Sequence, residues 1–315
     1  MTDKTTSQPS HLITQPRPRG AGSAIPIQIL NEVLALPPYV SELNSLLSRV
    51  PVDLKRVGKI IRGHPALSDH LIHLCRLRFA GFDVQNASIE QGIVFLGTEQ
   101  MRTLILVCCV ILEIGGSLAS NQLRSFWQHG LLTASLGKRI AGYIGYPRPE
   151  TASRAGLVHD VGVLALARFA GGTQGQAELA NGLCGEVVEE ECSRFGTDHC
   201  LVGSLIGRVW GLPDEIVDVL EFHHNPEGAK HDRLLAGIVA AADNFCVVRG
   251  PRLQSVKELA SVPQEGSFQR ALCRWLPALG NNLARHLEDA LAITYLRKIN
   301  KLKGNDGGVF CGFGL

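Results

Sequence analysis

Apolar residues recur every three or four positions along most of the chain between Ile27 and Leu296. This spacing puts them on one face of a helix, whereas the alternating pattern of a half-buried strand is almost absent. The predicted helices are Val52–Arg62, Leu67–Phe79, Ser88–Phe95, Thr98–Ile114, Asn121–Tyr143, Pro149–Ala170, Gln176–Arg194, His199–Val209, Pro213–His223, Arg233–Val248 and Gln269–Leu296, after a helical stretch from Leu34 to Leu47 that Pro37-Pro38 interrupts. Ser88 is the expected N-cap of its helix and Gly97 the expected stop. The fold class predicted is all-α.

The same pattern divides the chain into five segments. Residues 1–26 contain four Pro and seven Ser or Thr, which predicts a disordered tail. Residues 27–118 are expected to form an N-terminal helical subdomain and residues 119–250 a second helical subdomain. Residues 251–300 predict a C-terminal helical extension, and the Gly-rich residues 301–315 a flexible tail.

Charge gives little indication of the partner. The chain has 31 Lys and Arg against 29 Asp and Glu, a formal net charge of +2. A balance so close to neutral exerts no overall attraction on nucleic acid, so nucleic-acid binding is not expected. The basic stretch between Lys55 and Arg62 and the acidic run Glu189-Glu190-Glu191 are both predicted to be solvated helix faces.

The apolar and cysteine patterns favour a cytoplasmic protein without a membrane segment. The most apolar run, Thr103 to Leu112, is shorter than the roughly 20 residues of a membrane-spanning helix. The polar N-terminus has no signal-peptide pattern. The nine Cys include no C-x-x-C pair, which favours buried thiols in a reducing compartment over a disulfide framework.

Four ionisable residues stand among apolar helical positions, where side chains face the core: His129, His159, Asp160 and Asp243. A buried carboxylate is costly unless it is paired, hydrogen-bonded or bound to a metal. One explanation is a divalent metal such as iron, manganese or zinc, held by both carboxylates and neutral imidazoles. The other is a metal-free His–Asp hydrogen-bond network, which the spacing alone favours.

The order of these residues resembles the HD superfamily of metal-dependent phosphohydrolases. That family has an isolated His, a later His-Asp doublet and a distant Asp, which match His129, His159-Asp160 and Asp243. His199 and the pair His223-His224 fall where the two-metal cyclic-dinucleotide phosphodiesterases of the superfamily have further histidines. The resemblance implies a metal site formed by His129, His159, Asp160, His199, His223, His224 and Asp243.

Within the superfamily the chain most resembles the HDOD branch, over about Leu36 to Asp243. The motifs that carry this resemblance are Leu36-Pro37-Pro38, His64-Pro65-Ala66-Leu67, Ser88 to Gly97, Phe126-Trp127-Gln128-His129, Ala155 to Gly162, Trp210-Gly211-Leu212-Pro213 and His223 to Pro226. The resemblance implies an HD-type multi-helix bundle with an N-terminal helical subdomain. It also implies a role in bacterial signal transduction, with other signalling proteins or a nucleotide second messenger as partners.

Three departures set the chain apart from the phosphodiesterase branch. Val163 stands where that branch has Lys after His-Asp-x-Gly, and Asn225 to Gly228 replaces its Gly-Tyr-Pro element. Ser125 stands where a metal-ligand Glu sometimes precedes the first His. These departures favour a regulatory module without hydrolytic activity and without an assigned catalytic residue. The alternative is a metal-dependent phosphohydrolase that acts on a nucleotide or cyclic dinucleotide.

Overall fold

The computed structural model describes residues 37–78, 88–113, 120–169 and 186–249, where all regular structure is helical. The helices are α1 (Pro38–Leu47), α2 (Leu54–Arg62), α3 (Pro65–Arg78), α4 (Ile89–Leu96), α5 (Thr98–Glu113), α6 (Ser120–Tyr143), α7 (Pro149–Val158), α8 (Val161–Phe169), α9 (Glu186–Phe195), α10 (His199–Val209), α11 (Asp214–Phe222) and α12 (Arg233–Arg249), with a short 3₁₀ turn at Pro226–Gly228. The all-α prediction is therefore confirmed. None of the helices described has both the length and the apolar character needed to cross a bilayer. The predicted tails, 1–26 and 301–315, and the extension, 251–300, lie outside the described residues.

The first five helices form one group. Within it, α5 contacts α1, α3 and α4. The start of α4 shows how local sequence sets a boundary. The Ser88 hydroxyl accepts the Gln91 N–H at 3.2 Å, and the Gln91 side chain accepts the Ser88 N–H at 2.7 Å. This reciprocal capping box, with Gly97 at φ +80° after the last turn, confirms the predicted cap and stop.

The remaining helices form a second group, which shares one hydrophobic core with the first. The long helix α6 packs against α7 and α12, while α10 packs against α8 and α11. Helix α5 contacts α7 and α8 across the junction. At the end of α10, Asn44 donates to the Trp210 carbonyl at 3.0 Å and Arg102 donates to the Gly211 carbonyl. The two halves are thus joined by apolar and polar contacts.

The predicted continuous helix Pro149–Ala170 is wrong, because α7 and α8 are separated by a turn at His159-Asp160. The His159 imidazole Nδ1 bonds to the Gly156 carbonyl at 2.9 Å. In an uninterrupted helix that carbonyl would accept the N–H of Asp160. A side chain that competes for a helix carbonyl favours a local break. His159 and Asp160 are therefore adjacent in a single turn, and both are buried.

Glycines permit unusually close helix contacts around this turn. A Cβ at Gly130 on α6 would lie 2.9 Å from the Leu157 carbonyl oxygen, and one at Gly156 on α7 would lie 2.9 Å from that of Thr133. A Cβ at Gly162 on α8 would lie 1.9 Å from the carbonyl oxygen of His199, the first residue of α10. The backbone approach at Gly162 therefore brings His199 beside the His-Asp turn.

Gly162→Ala should destabilise the protein by about 1–3 kcal/mol or more, because the added methyl group meets rigid backbone. The matched control is Gly142→Ala in the last turn of α6, where a Cβ would meet nothing within 4 Å. That control should stabilise the protein by about 0.4–1 kcal/mol through the lost backbone freedom of the unfolded chain. Urea unfolding of both variants measures the difference. A neutral Gly162→Ala would contradict the described α8–α10 contact.

Candidate metal centre

Four buried side chains from three parts of the fold meet at one point: His129 of α6, His159 and Asp160 of the turn, and Asp243 of α12. The Nε2 atom of His129 lies 3.1 Å from Nε2 of His159, 3.3 Å from Oδ2 of Asp160 and 3.0 Å from Oδ1 of Asp243. The Nε2 atom of His159 lies 3.2 and 3.5 Å from the same two oxygens. These four residues are called the first cluster.

The spacing of these atoms suits a metal ion. Divalent transition metals bind imidazole nitrogen and carboxylate oxygen at about 2.0–2.2 Å. Adjacent ligand atoms on one such ion are therefore about 2.8–3.1 Å apart in octahedral geometry and about 3.3–3.6 Å apart in tetrahedral geometry. The five distances of the first cluster, from 3.0 to 3.5 Å, lie within the range that these two geometries span. Two nitrogens and two oxygens, with two negative charges, are a donor set that iron, manganese and zinc all accept.

A second cluster adjoins the first and contains His199, Cys200, His223 and His224. Nε2 of His199 lies 3.3 Å from Nε2 of His223, 3.2 Å from Nε2 of His224 and 3.4 Å from Sγ of Cys200. His199 and Cys200 begin α10, and the His pair follows the last residue of α11. The contact between α10 and α11 thus assembles this cluster.

Asp160 belongs to both clusters. Its Oδ2 atom faces His129 and His159, whereas its Oδ1 atom lies 3.5 Å from Nε2 of His223 and 3.7 Å from Nε2 of His199. Only 6% of the residue is exposed. One carboxylate therefore lies between two adjacent cation positions, one in each cluster.

Three of the histidines are oriented by hydrogen bonds at their outer ring nitrogen. Nδ1 of His159 bonds to the Gly156 carbonyl, Nδ1 of His223 to the Val219 carbonyl at 3.0 Å, and Nδ1 of His199 to a Glu191 carboxylate oxygen at 2.7 Å. In the neutral ring, each acceptor places the proton on Nδ1 and leaves the Nε2 lone pair pointing inward. Such outer partners are usual for metal-bound histidines, because they hold the ring and increase its basicity.

Glu191 corrects the prediction that Glu189-Glu190-Glu191 is a solvated face. Glu189 and Glu190 are exposed, but only 2% of Glu191 is, and its Oε2 atom also accepts the His199 N–H at 2.8 Å. The sequence does contain a signal for this. Val188 and Phe195 lie three residues before and four after Glu191, so they share its helix face, and Phe195 packs against the core.

Without a metal, the electrostatics of the two clusters differ. Burial alone would lower the pKa of His159, but the carboxylates of Asp160 and Asp243 raise it to about 10. The pKa of His129 is raised by the same two carboxylates against the effect of burial. In the second cluster, burial and neighbouring imidazoles lower the pKa of His223 and His224, whereas Cys200 and Glu191 raise the pKa of His199 against the effect of burial. Protons thus compete for the first cluster, while His223 and His224 offer neutral rings.

The structure places all seven predicted ligands in one buried region. They divide between the two clusters, and Asp160 faces both. That these residues bind metal remains a prediction. Cys200 and Glu191 were not predicted as part of the site. The signal for Cys200 was its position directly after His199 at the start of a helix.

The chain matches the HDOD domain family over residues 33–226, more than half of its length. It belongs to the HDOD family. Among solved structures, it is similar to a protein of Shewanella amazonensis SB2B with a provisional phosphohydrolase name, at a TM-score of 0.59 and 20% identity, covering 88% of this chain and 95% of that one. It is also similar to an HDOD domain protein of unknown function from Geobacter sulfurreducens, at a TM-score of 0.53 and 22% identity, covering 87% and 92%. At these identities the likeness shows the shared helical fold.

Curated relatives include a ribonuclease Y of Thermus thermophilus, which is 26% identical over 210 residues. The match covers 65% of this chain but only 29% of the relative. Ribonuclease Y of Lawsonia intracellularis is likewise 26% identical, over 64% of this chain and 32% of the relative. The chain therefore spans less than a third of the length of these relatives.

Asp160→Ala should strip metal from both clusters, because it removes a charged ligand of the first cluster and the negative charge that lies beside the second. Elemental analysis of purified wild type and variant measures the bound metal. Asp214→Asn, at the exposed first turn of α11, is the control and should retain the wild-type content. Equal metal content in all three proteins would exclude Asp160 as a ligand.

The stability of metal-free protein should fall as the pH rises from about 7 to about 9.5. His159 binds its proton more tightly when folded, with a pKa of about 10 against about 6.5 when unfolded. Its contribution is therefore fully present below pH 6.5 and is lost as the pH approaches 10. Urea unfolding of chelator-treated wild type and His159→Gln isolates this contribution.

Saturating zinc should reverse that trend, since the metal binds the deprotonated imidazole and its advantage over protons grows with pH. The contradicting result is a difference in stability between metal-free wild type and His159→Gln that does not change with pH over the same range. It would show that His159 is not charged in the metal-free first cluster.

Proposed function

We propose that the protein is a cytoplasmic regulatory output module of bacterial signal transduction, which binds divalent metal but does not hydrolyse phosphodiesters. The observation that carries this proposal is Val163. In the phosphodiesterase branch the resemblance implies a Lys at this position, directly after the His-Asp-x-Gly motif. Here an aliphatic side chain, 8% exposed, occupies the first turn of α8, three residues after Asp160.

Phosphodiester hydrolysis requires more than metal ligands. Preorganised donors must stabilise the charge that develops on the phosphoryl oxygens. The side chain of Val163 can donate no hydrogen bond, and the ion-pair partners of the Asp160 carboxylate within the described residues are histidines. After His224 the chain enters the 3₁₀ turn Pro226–Gly228, where the Gly-Tyr-Pro element of the phosphodiesterase branch would be expected. Metal ligands and substrate-handling groups are therefore separable in this chain, and Val163 and Asn225 to Gly228 stand at the two positions where the phosphodiesterase branch has the second set.

A bound divalent cation would supply positive charge to the buried carboxylates. The first cluster would hold it through residues of α6, the His-Asp turn and α12, and the second through residues of α10 and α11. Five parts of the fold would then be tied at one point. In this role the site controls the rigidity of the domain, and the partner is another signalling protein or a nucleotide second messenger.

A metal-dependent phosphohydrolase acting on a nucleotide or cyclic dinucleotide is the second candidate. It is favoured by the pair of clusters that share Asp160, since two-metal hydrolases clamp attacking and leaving oxygens between adjacent ions. The ribonuclease name of the curated relatives adds RNA to the substrates worth testing. It requires the chain to replace the missing lysine with a group outside the motif.

Manganese- or iron-loaded wild type should release no more product than Asp160→Ala from cyclic di-GMP, a generic chromogenic phosphodiester or a short RNA. The expected reason is the lack of a donor at Val163 rather than the lack of metal, so metal content is measured on the same samples. Robust turnover by wild type that disappears in Asp160→Ala would overturn the regulatory proposal and establish the enzyme.

A further inference from the structure

We infer that the second cluster is a closed zinc site in which the thiolate of Cys200 is the fourth protein ligand beside His199, His223 and His224. This inference rests on the proposed metal-binding role but concerns a separate matter, namely which metal this position holds and whether water can reach it. The resemblance to the HD superfamily implies histidines at this position. It does not imply the cysteine.

The three distances from Nε2 of His199 to the other members of the second cluster fit one tetrahedral zinc ion. Zinc binds imidazole nitrogen at about 2.0–2.1 Å and thiolate sulfur at about 2.3 Å. Tetrahedral geometry then separates two nitrogens by about 3.3–3.4 Å, and a nitrogen from the sulfur by about 3.5 Å. The observed separations from Nε2 of His199 are 3.3 and 3.2 Å for the two nitrogens and 3.4 Å for Sγ of Cys200.

The donor set selects the metal. A soft thiolate favours zinc over manganese and magnesium, which prefer oxygen ligands. The first cluster offers two nitrogens and two oxygens, and so accepts harder ions as well. The two positions on either side of Asp160 are therefore expected to differ in metal preference, with zinc at the position that contains Cys200.

Four protein ligands also close the site. Catalytic zinc keeps three protein ligands and one water, whereas structural zinc has all four positions filled by the protein. His199, Cys200 and His223 are each at most 3% exposed. Oδ1 of Asp160, at 3.5 and 3.7 Å from the nearest imidazole nitrogens, occupies the side that faces the first cluster. A zinc ion bound here would have no vacant position for an attacking water.

Cobalt(II) substitution tests the thiolate directly. Full-length wild type, stripped with chelator and titrated with cobalt(II), should show an intense near-ultraviolet sulfur-to-cobalt charge-transfer band and the strong visible absorption of tetrahedral cobalt. Cys200→Ser should abolish the charge-transfer band. It should also weaken zinc binding at this position by about 100-fold or more, since even the loss of an outer-shell partner costs about 10–100-fold.

Cys192→Ser is the matched control. Cys192 lies on the neighbouring helix α9, and its Sγ atom is 3.6 Å from Oδ2 of Asp198, the residue that caps α10. This variant should retain both the band and the zinc affinity. A band that survives in Cys200→Ser, or one that disappears in Cys192→Ser, would overturn the assignment.

X-ray absorption of zinc-loaded wild type provides a readout that does not depend on a variant folding. A sulfur neighbour at about 2.3 Å from zinc is expected, and a shell of nitrogen and oxygen alone would overturn the inference. Failure here differs from failure of the proposed function. Metal bound without sulfur removes the closed zinc site but leaves the regulatory proposal, whereas hydrolytic turnover removes the regulatory proposal and leaves the sulfur signal to stand.

Discussion

The buried carboxylate of Asp160 is the constraint on which the rest of this domain depends. An anion removed from water is tolerated only where opposite charge or hydrogen bonds surround it. Asp160 meets this condition through imidazoles on both of its oxygens, from His129 and His159 on one side and from His199 and His223 on the other. Protons on the imidazoles or cations between them can supply the charge. The folded state therefore needs the two clusters to be close together, whether or not the protein is an enzyme.

The two clusters are brought together by close backbone contacts between helices rather than by contacts between the ligand side chains. Helices that meet through ordinary side chains stand about 8–10 Å apart, which would separate the imidazoles. Gly130 and Gly156 let α6 and α7 approach, and Gly162 brings α8 against the first residue of α10. The glycine of the His-Asp-x-Gly motif thus acts on the site through geometry. It contributes no ligand atom, and its role is to leave the space that a side chain would fill.

Much of the fold followed from periodicity, and much less of the site did. Helices such as α6, α10 and α12 were predicted nearly at their observed bounds, because their apolar faces are long and their ends carry clear signals. The break at His159-Asp160 was missed, because it arises from a side chain competing for the Gly156 carbonyl, which periodicity does not register. The apolar context identified four of the candidate ligands and the resemblance to the HD superfamily added His199, His223 and His224, while their spatial proximity follows from contacts between distant helices.

Two site residues, Glu191 and Cys200, were not predicted from the sequence, for different physical reasons. Glu191 looks solvated in a run of three glutamates, and its burial depends on how α9 lies against α10. Cys200 looks like a small apolar residue until the His pair after α11 is placed beside it. In both cases the decisive partner is distant in the sequence or on another helix, so a local pattern cannot reveal it.

Helix α10 has a further mechanical consequence. Its first two residues belong to the second cluster, and the carbonyls that follow its last residue are held by Asn44 of α1 and Arg102 of α5. Eleven residues at 1.5 Å each make it a stiff rod about 16 Å long. An axial shift of that rod at the histidine end would have to break both anchors at the other end. Occupancy of a cation position and the packing of the N-terminal helices are thus coupled mechanically through helix α10.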